Sequence, residues 1–494
     1  MIPQHIFETI GELSKKSGIN VYVVGGYVRD QLLGRDQKKD LDFVVLGNGL
    51  EFARKFSEQY HEDDGRLIEF PEFDTARYVF LEEVDQKIVG GTQEKQYQMI
   101  IEVEFAGARK EAYRSESRKP DVMVATLEED LSRRDFTVNA MAQQVLLNGS
   151  LGDIVDPYHG KKDIKDRVLK TPLDPGETFS EDPLRMMRAA RFAAQLIFEI
   201  EKKTYLAMKK FAPRLEIVSK ERIKEELMKL VVTAKPSIGL WILYKTELFD
   251  QFMPEVSDLA GVEEIKGYSH KDNLSHTFAV VDNIAEQSEK PLLRFAGLMH
   301  DIAKPGVKKF EKGRGWTFDM HEHLGKKQTR EIMQRLRFPV RDIRYVAKLV
   351  RWHLQPIALM DEGVTDSPVR RLVVNLKDDL QDLLMLCRAD ITTGNQQKKV
   401  RRLKNYDFLE ERIVEVLEKD KLRAFQSPVR GEEIMQLCGL KPGPTVGEIK
   451  KELERAILDG EIPNEYNAVK EYFENMKNKF LTKAGEWERV KNEE

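Results

Sequence analysis

One stretch, residues 23–42 (VVGGYVRDQLLGRDQKKDLD), restricts the fold more than any other part of the chain. A β-branched run, Val21, Val23 and Val24, leads into Gly25-Gly26 and then a helix-like segment carrying Arg29 and Asp30. Asp40 and Asp42 open a second apolar run, Leu41 to Leu46. Residues two apart on a strand share a face, so both carboxylates fall on one side of a sheet and can grip the same metal ions. The glycines carry no Cβ, which lets a phosphate chain lie against backbone amides at the start of the following helix. Hard oxygen ligands suit Mg²⁺, which binds one or two carboxylates together with substrate phosphates. The pattern implies a unit that holds a nucleoside triphosphate through metal. Taken alone, it also fits a plain turn followed by a solvated strand.

Further blocks follow in order: RRDFTVNAMA at 133–142, SEDPLRMMRAARFAAQLIF at 180–198 and ERIKEEL at 221–227. Together with the first stretch they resemble the motifs of the polymerase-β-like nucleotidyltransferases. Within that superfamily they are similar to the bacterial-type, class II tRNA nucleotidyltransferases and their poly(A) polymerase relatives. The resemblance implies an α+β chain: a small nucleotidyltransferase head on a mixed sheet, followed by an all-α neck, an HD domain and a helical tail. The expected divisions are 1–157 for the head, 158–255 for the neck with its base-recognition helix, 256–395 for the HD domain and 396–494 for a tail that contacts tRNA.

Composition agrees with an ordinary folded chain of several domains, with 41% apolar and 33% charged residues over 494 positions. No apolar stretch is long enough to span a membrane, and the N-terminus lacks a signal-peptide layout. It places Ile6, Ile10 and Leu13 at helical spacing instead. Cys387 and Cys438 are the only cysteines, without paired spacing, so a disulfide framework and a zinc-thiolate site are not expected. A cytoplasmic protein without membrane contact is expected. Net charge is −4, so any nucleic-acid contact has to come from local patches. Two candidates are KKVRRLK at 398–404 and the group Lys161, Lys162, Lys165, Arg167 and Lys170; each also reads as a solvated charged face. In the head, TARYVFLEEV reads as a strand, GTQEKQ as an exposed loop and AGARKEAYRSESRKPDV as a basic excursion.

For the first site, the resemblance implies that Asp40 and Asp42 hold Mg²⁺. A third carboxylate is expected from IIEVEF, where alignment favours Glu102 over Glu104. The following EFAGARKE departs from the family pattern, which leaves that ligand open. Gly25, Gly26, Arg29 and Arg134 are expected at the triphosphate, and Asp135 and Asn139 at the sugar or the turn that holds it. A planar guanidinium that stays charged suits phosphate oxygens. Ser180-Glu181-Asp182-Pro183 reads as a helix N-terminus. Asp182 and Arg185 are then three apart on one face, with Arg188 continuing it. Cytosine and adenine both present an amino donor beside a ring-nitrogen acceptor, and uracil and guanine present the reverse. An Asp/Arg pair would therefore accept CTP and ATP and reject the other two. A simple intrahelical salt bridge is the alternative.

Six of the nine histidines lie between 270 and 353. HTFAVVDN, GLMHDIAKP, HEHLG, VRWHLQP and CRADITTG resemble the HD phosphohydrolase superfamily. That resemblance implies His276, His300, Asp301 and Asp390 as metal ligands, with His321 and His353 matching auxiliary positions for a second ion. Mixed imidazole and carboxylate ligands suit Ni, Mn, Co or Fe. A retained HD fold used only for architecture is the alternative. The leading expectation is addition of CCA to tRNA 3′ ends from CTP and ATP, with phosphohydrolase activity at the second site. Its competitors are A-only addition, poly(A) synthesis and a tRNA-binding protein whose catalysis is retired.

Overall fold

A computed structural model describes residues 4–35, 40–61, 64–89, 92–112, 121–262, 264–265, 268–269, 272–360, 365–420 and 427–492. Contacts divide the chain into two compact units, Met1–Ser257 and Asp258–Glu494.

The first unit is built on strands β1 (Val21–Val24), β2 (Asp40–Val45), β3 (Gly65–Phe70), β4 (Thr75–Val89), β5 (Thr92–Gly107), β6 (Arg109–Ala112), β7 (Asp121–Val124), β8 (Ala142–Val145) and β9 (Leu151–Val155). Seven of them form one sheet in the order β3-β4-β5-β2-β1-β8-β9. The β2–β5 pair is parallel and its neighbours are antiparallel, so the sheet is mixed. Alternation of apolar residues pins its inner face: Phe43 and Phe105 stack at 5.5 Å, and Phe52 and Phe56 pack onto Phe105 from the Gly49–Ser57 helix. The amphipathic Gln4–Ser17 helix buries Ile6, Ile10 and Leu13.

Two segments differ from the sequence reading. From Thr92 onward, GTQEKQ is paired backbone in β5, opposite β4. Its lack of apolar alternation hides a strand whose ladder rests on main-chain hydrogen bonds. In AGARKEAYRSESRKPDV, β6 and β7 form a two-stranded ladder, and residues 113–120 lie outside the described residues.

After β9 the unit becomes helical. Helix Pro175–Glu181 ends just before Asp182, and a new helix runs from Leu184 to Leu196. Ser180 therefore sits in the last turn of one helix rather than capping the next. Asp182 is extended, with φ −135°, and its carboxylate accepts the Leu184 N–H at 3.1 Å. Pro183 breaks the helical run because it supplies no N–H. Helix Lys220–Val231 packs against Leu184–Leu196, burying Ile223, Leu227 and Leu230.

A chain of charges ties these pieces to the sheet. Arg29 is 2% exposed, is gripped by both oxygens of Asp30 (2.8 and 2.9 Å) and donates to Asn139 Oδ1 at 2.5 Å. The Asn139 amide donates to Asp135 at 2.9 Å, Asp135 accepts from Arg188 at 2.6 and 2.8 Å, and Glu226 holds Arg191 at 2.6 Å. The Phe192 ring lies under the Arg29, Arg188 and Arg191 guanidiniums at 5.2, 5.3 and 4.0 Å.

In the second unit, helices Asn273–Ala285, Pro291–Met299, His321–Arg335, Val340–Trp352 and Leu380–Ala389 share one core. The segments expected to be all-α also carry short ladders, Val168–Leu169 with Glu199–Ile200, Glu264–Ile265 with Tyr268–Ser269, and Lys309–Glu311 with Gly315–Thr317. The final helices have a core of their own around Ile434, Ile449, Leu453 and Phe473.

Burial would raise the Asp135 carboxyl, but its ion pair with Arg188 and the Asn139 hydrogen bond outweigh that and lower it to about 2. Its contribution to stability is present above its unfolded value near about pH 4 and is lost as pH falls through about 2. Asp135→Ala should destabilise the first unit by roughly 3 kcal/mol by removing the nearest counter-ion of Arg188. Urea unfolding at neutral pH checks this, and the deficit should shrink in strong acid.

Candidate active sites

The sheet register assembles the first site. Across β2 and β5, Asp40 is opposite Glu102 and Asp42 is opposite Glu104. Across β5 and β4, Glu104 is opposite Arg77. Directly opposed residues share a face, so Arg77, Glu104 and Asp42 form one row across three strands, with Glu102 and Asp40 in the next row. Arg77 reaches both glutamates, at 2.7 Å to Glu102 and 2.8 Å to Glu104. Asp42 keeps access to solvent although protein atoms crowd it. Desolvation and then the Glu104 charge push its carboxyl up to about 6, against the pull of Arg134 and Arg188. Glu102, favoured from sequence, is the glutamate opposite Asp40, and Glu104 is the one opposite Asp42, so both share the face of the two aspartates. Such mutually repelling oxygens suit a divalent cation.

Gly25 sits at φ +70°, which a side-chain-bearing residue rarely adopts. A Cβ there would lie 3.1 Å from Arg134 Nη1, so the glycine lets that guanidinium approach the turn. Arg134 also contacts Asp130 at 3.2 Å, and its buried Nε has no hydrogen-bond partner. Arg134 thus keeps donor capacity beside the Gly25 turn. The Gly25 amide is already used, donating to the Met141 carbonyl. Arg29 differs from expectation: its guanidinium is held inside the charge chain by Asp30 and Asn139, so it supports the turn from behind. Asp135 and Asn139 are buried in that same chain. Gly26 begins the Gly26–Leu32 helix.

Asp182 and Arg185 are near one another in sequence but do not form the intrahelical bridge. Asp182 pairs with Arg222 at 3.0 Å, while Arg185 donates to the Arg133 carbonyl at 2.6 Å and to Glu181 at 3.1 Å. Sequence reasoning missed Arg222 and Arg77. The former lies inside ERIKEEL and the latter inside TARYVFLEEV, but partner choice depends on tertiary structure.

The second site gathers all six expected residues from helix ends. His276 stands in the first turn of its helix, His300 and Asp301 follow Pro291–Met299, His321 starts its helix, and His353 and Asp390 cap theirs. Two groups result: His276, His300 and Asp390, and Asp301, His321 and His353. Asp301 faces both, with Oδ2 at 3.4 and 3.2 Å from His276 and His300 and Oδ1 at 3.2 Å from His321. Nδ1 of His300, His321 and His353 each meets a backbone carbonyl at 2.7 Å, from Gly297, Phe318 and Val350. Each ring then donates from Nδ1 and turns the Nε2 lone pair into the cluster, the tautomer a metal requires. His300 Nε2 is buried with no hydrogen-bond partner, and the Nε2 atoms of His321 and His353 face each other at 3.2 Å. These orphaned nitrogens fit a pair of metal ions.

Without a metal ion the carboxylates draw a proton to His300, which a bound metal would have to displace. Burial opposes a charged His300, but Asp301 and Asp390 overcome it and hold the ring up at about 10. Burial, then His300, pushes His353 down to about 4. Cys387 and Cys438 are both free thiols.

A carboxylate row beside a glycine turn, and in the other unit a histidine–aspartate cluster that could hold metal, are the features to set beside known proteins. The Poly A polymerase head domain family matches residues 21–170, the probable RNA and SrmB-binding site of polymerase A matches 197–259, and the HD domain family matches 273–393. The A-adding tRNA nucleotidyltransferase of Deinococcus radiodurans is 34% identical over 68% of this chain and 76% of its own. The multifunctional CCA protein of Paraburkholderia phytofirmans is 32% identical over 75% of this chain and 85% of its own. The Bacillus stearothermophilus CCA-adding enzyme, solved in complex with CTP, shares the fold with a TM-score of 0.62 at 22% identity, over 98% of this chain and 100% of that one. The chain belongs to the tRNA nucleotidyltransferase and poly(A) polymerase family, in the branch with a fused HD domain.

Proposed function

We propose that this protein adds CCA to the 3′ ends of tRNA from CTP and ATP, without a nucleic-acid template. The observation that carries the reading is the row of Asp42 and Glu104 beside Asp40, on one face of the sheet next to Arg134 and the Gly25 turn. In this reading Asp40, Asp42 and Glu104 hold Mg²⁺, and Arg134 binds the triphosphate. The bound Mg²⁺ lowers the pKa of the attacking 3′-hydroxyl and neutralises charge on the departing pyrophosphate. Asp182 accepts from, and Arg185 donates to, the edge that cytosine and adenine share, while Arg222 and the Arg133 carbonyl hold the pair in place. The proposed division keeps head, neck, HD domain and tail as separate parts.

A second reading, addition of A alone to ends already carrying CC, is favoured by the likeness to the Deinococcus enzyme. For the HD centre, the six ligands support hydrolysis of a phosphoester with a transition metal such as Ni, Mn, Co or Fe. Such a metal supplies an activated water. Among the described residues no helix is long and apolar enough to cross a membrane. Two free cysteines suit a cytoplasmic setting.

Sequencing the 3′ ends of tRNA after incubation with CTP, ATP and Mg²⁺ tests the central reading. CCA on ends lacking all three nucleotides supports it, and A only on CC-ended tRNA moves the assignment to the second reading. Asp40→Ala or Asp42→Ala should lower incorporation roughly 10³-fold, the scale of several kcal/mol of lost charge stabilisation. Glu104→Gln should cost more than Glu102→Gln, and the reverse order would restore Glu102 as the third ligand. Arg222→Ala should raise incorporation of U about tenfold by loosening a charged hydrogen bond to Asp182. Misincorporation is read by the same sequencing. Metal analysis after dialysis should find two ions per chain at the HD centre, one of them lost in His353→Ala; an unchanged content would refute the second group.

A further inference from the structure

Beside the His276, His300 and Asp390 group opens a cleft of about 210 Å³, lined by Asn273, His276, Lys304, Asp390, Thr392 and Arg402. Its composition is that of a phosphate site. Two metal-facing groups line it, two cations flank them, and Asn273 and Thr392 offer neutral hydrogen bonds. Thr392 Oγ1 already orients the His276 ring, at 2.7 Å from Nδ1. The two cations differ in state. Lys304 is paired with Asp301 at 2.5 Å and lies over the Phe318 ring. Arg402 is exposed and makes no ion pair among the described residues.

Arg402 comes from beyond the matched HD region, in the Gln396–Asp420 helix. The opening turns of that helix read QQKKVRRLKN, carrying Lys398, Lys399, Arg401, Arg402 and Lys404 and no acid before Asp407. None of these five cations makes an ion pair among the described residues, whereas Asp407 and Glu410 further along are taken up by Arg388. The basic run is thus left with uncompensated charge next to the cleft. The cleft itself is small. Pockets that enclose a whole small-molecule ligand run to roughly 300–1,000 Å³. A smaller, open, polar cleft with a cationic helix at its edge suits the tip of a longer anion whose remainder lies outside.

From this juxtaposition we infer that the HD cleft binds the phosphorylated end of an RNA strand, with Arg402 and Lys304 on the terminal phosphate and the basic turns of the Gln396–Asp420 helix along the phosphates before it. The inference rests on the reading of the HD centre as a phosphoester site, and adds to it a polynucleotide rather than a free nucleotide as ligand. Arg402 is the specificity element, because its fork can bind phosphate oxygens in pairs and it makes no ion pair among the described residues.

Binding in chelator, where no turnover occurs, tests the inference on the full chain. Three probes are compared by fluorescence anisotropy or competition: a short single-stranded RNA with a 3′-phosphate, the same RNA with a 3′-hydroxyl, and a nucleoside 3′-monophosphate. The 3′-phosphorylated RNA should bind tighter than both others. Arg402→Ala should weaken it roughly tenfold, the scale of one charged hydrogen bond, and should lower the salt slope by about 0.7 for the lost phosphate contact. Arg401→Ala removes the same charge from a position outside the cleft lining and should leave the preference for the 3′-phosphate intact. Equal binding of the two RNAs would overturn the inference. So would an Arg402→Ala loss that is the same for both RNAs, since that would make the helix a general RNA contact. Binding of the mononucleotide as tightly as the RNA would assign the cleft to free nucleotides instead. Failure of the hydrolase reading is separable: metal-loaded protein would release no phosphate from any phosphoester while phosphate-dependent RNA binding persisted.

Discussion

The alternating chain Asp30–Arg29–Asn139–Asp135–Arg188, continued by Glu226 and Arg191, is the constraint on which the first unit depends. Each member is buried or half-buried, so none can be removed without stranding a neighbour in a place where water cannot compensate. The chain joins the helix after β1, the turn after RRDF, and the helices Leu184–Leu196 and Lys220–Val231. Phe192 stacks beneath three of the guanidiniums and excludes water from them. Its effect reaches Asp42, because Arg188 is among the charges that pull against the rise in that carboxyl.

The second unit solves a different problem. It has to hold four imidazoles and two carboxylates close together without a folded-state collapse of their charges. Helix C-termini supply the answer for His300 and His353, since the last carbonyls of a helix can take the Nδ1 proton, and the turn before its helix does the same for His321. Three rings are locked in this way by carbonyls three residues upstream, and the fourth by Thr392. The metal-facing nitrogens are therefore fixed by local backbone geometry within short segments.

That difference explains what could be read from sequence. The shared face of Asp40 and Asp42 is legible because strand alternation alone supplies it, and the histidine–aspartate cluster because each member lies in a short local motif. The role of Arg29 was not legible. Which guanidinium meets solvent and which is locked to Asp30 and Asn139 is decided by residues more than a hundred positions away. Which glutamate stands opposite which aspartate, Glu102 by Asp40 and Glu104 by Asp42, depends on strand register, which no local pattern encodes. The helix start expected at Ser180 falls instead at Pro183, because the extended Asp182 separates two consecutive helices. Residues from Thr92 in GTQEKQ carry strand backbone without an apolar alternation to announce it.

The parallel pairing of β2 with β5 has a consequence for how this protein fails. A slip of one residue between them would turn Glu102 and Glu104 to the opposite face from Asp40 and Asp42, and would drag Val103 and Phe105 out of the core. One alignment both buries the phenylalanines and gathers the acids. A register slip thus removes the core and the acid cluster together, so misfolding of this kind leaves no half-assembled site.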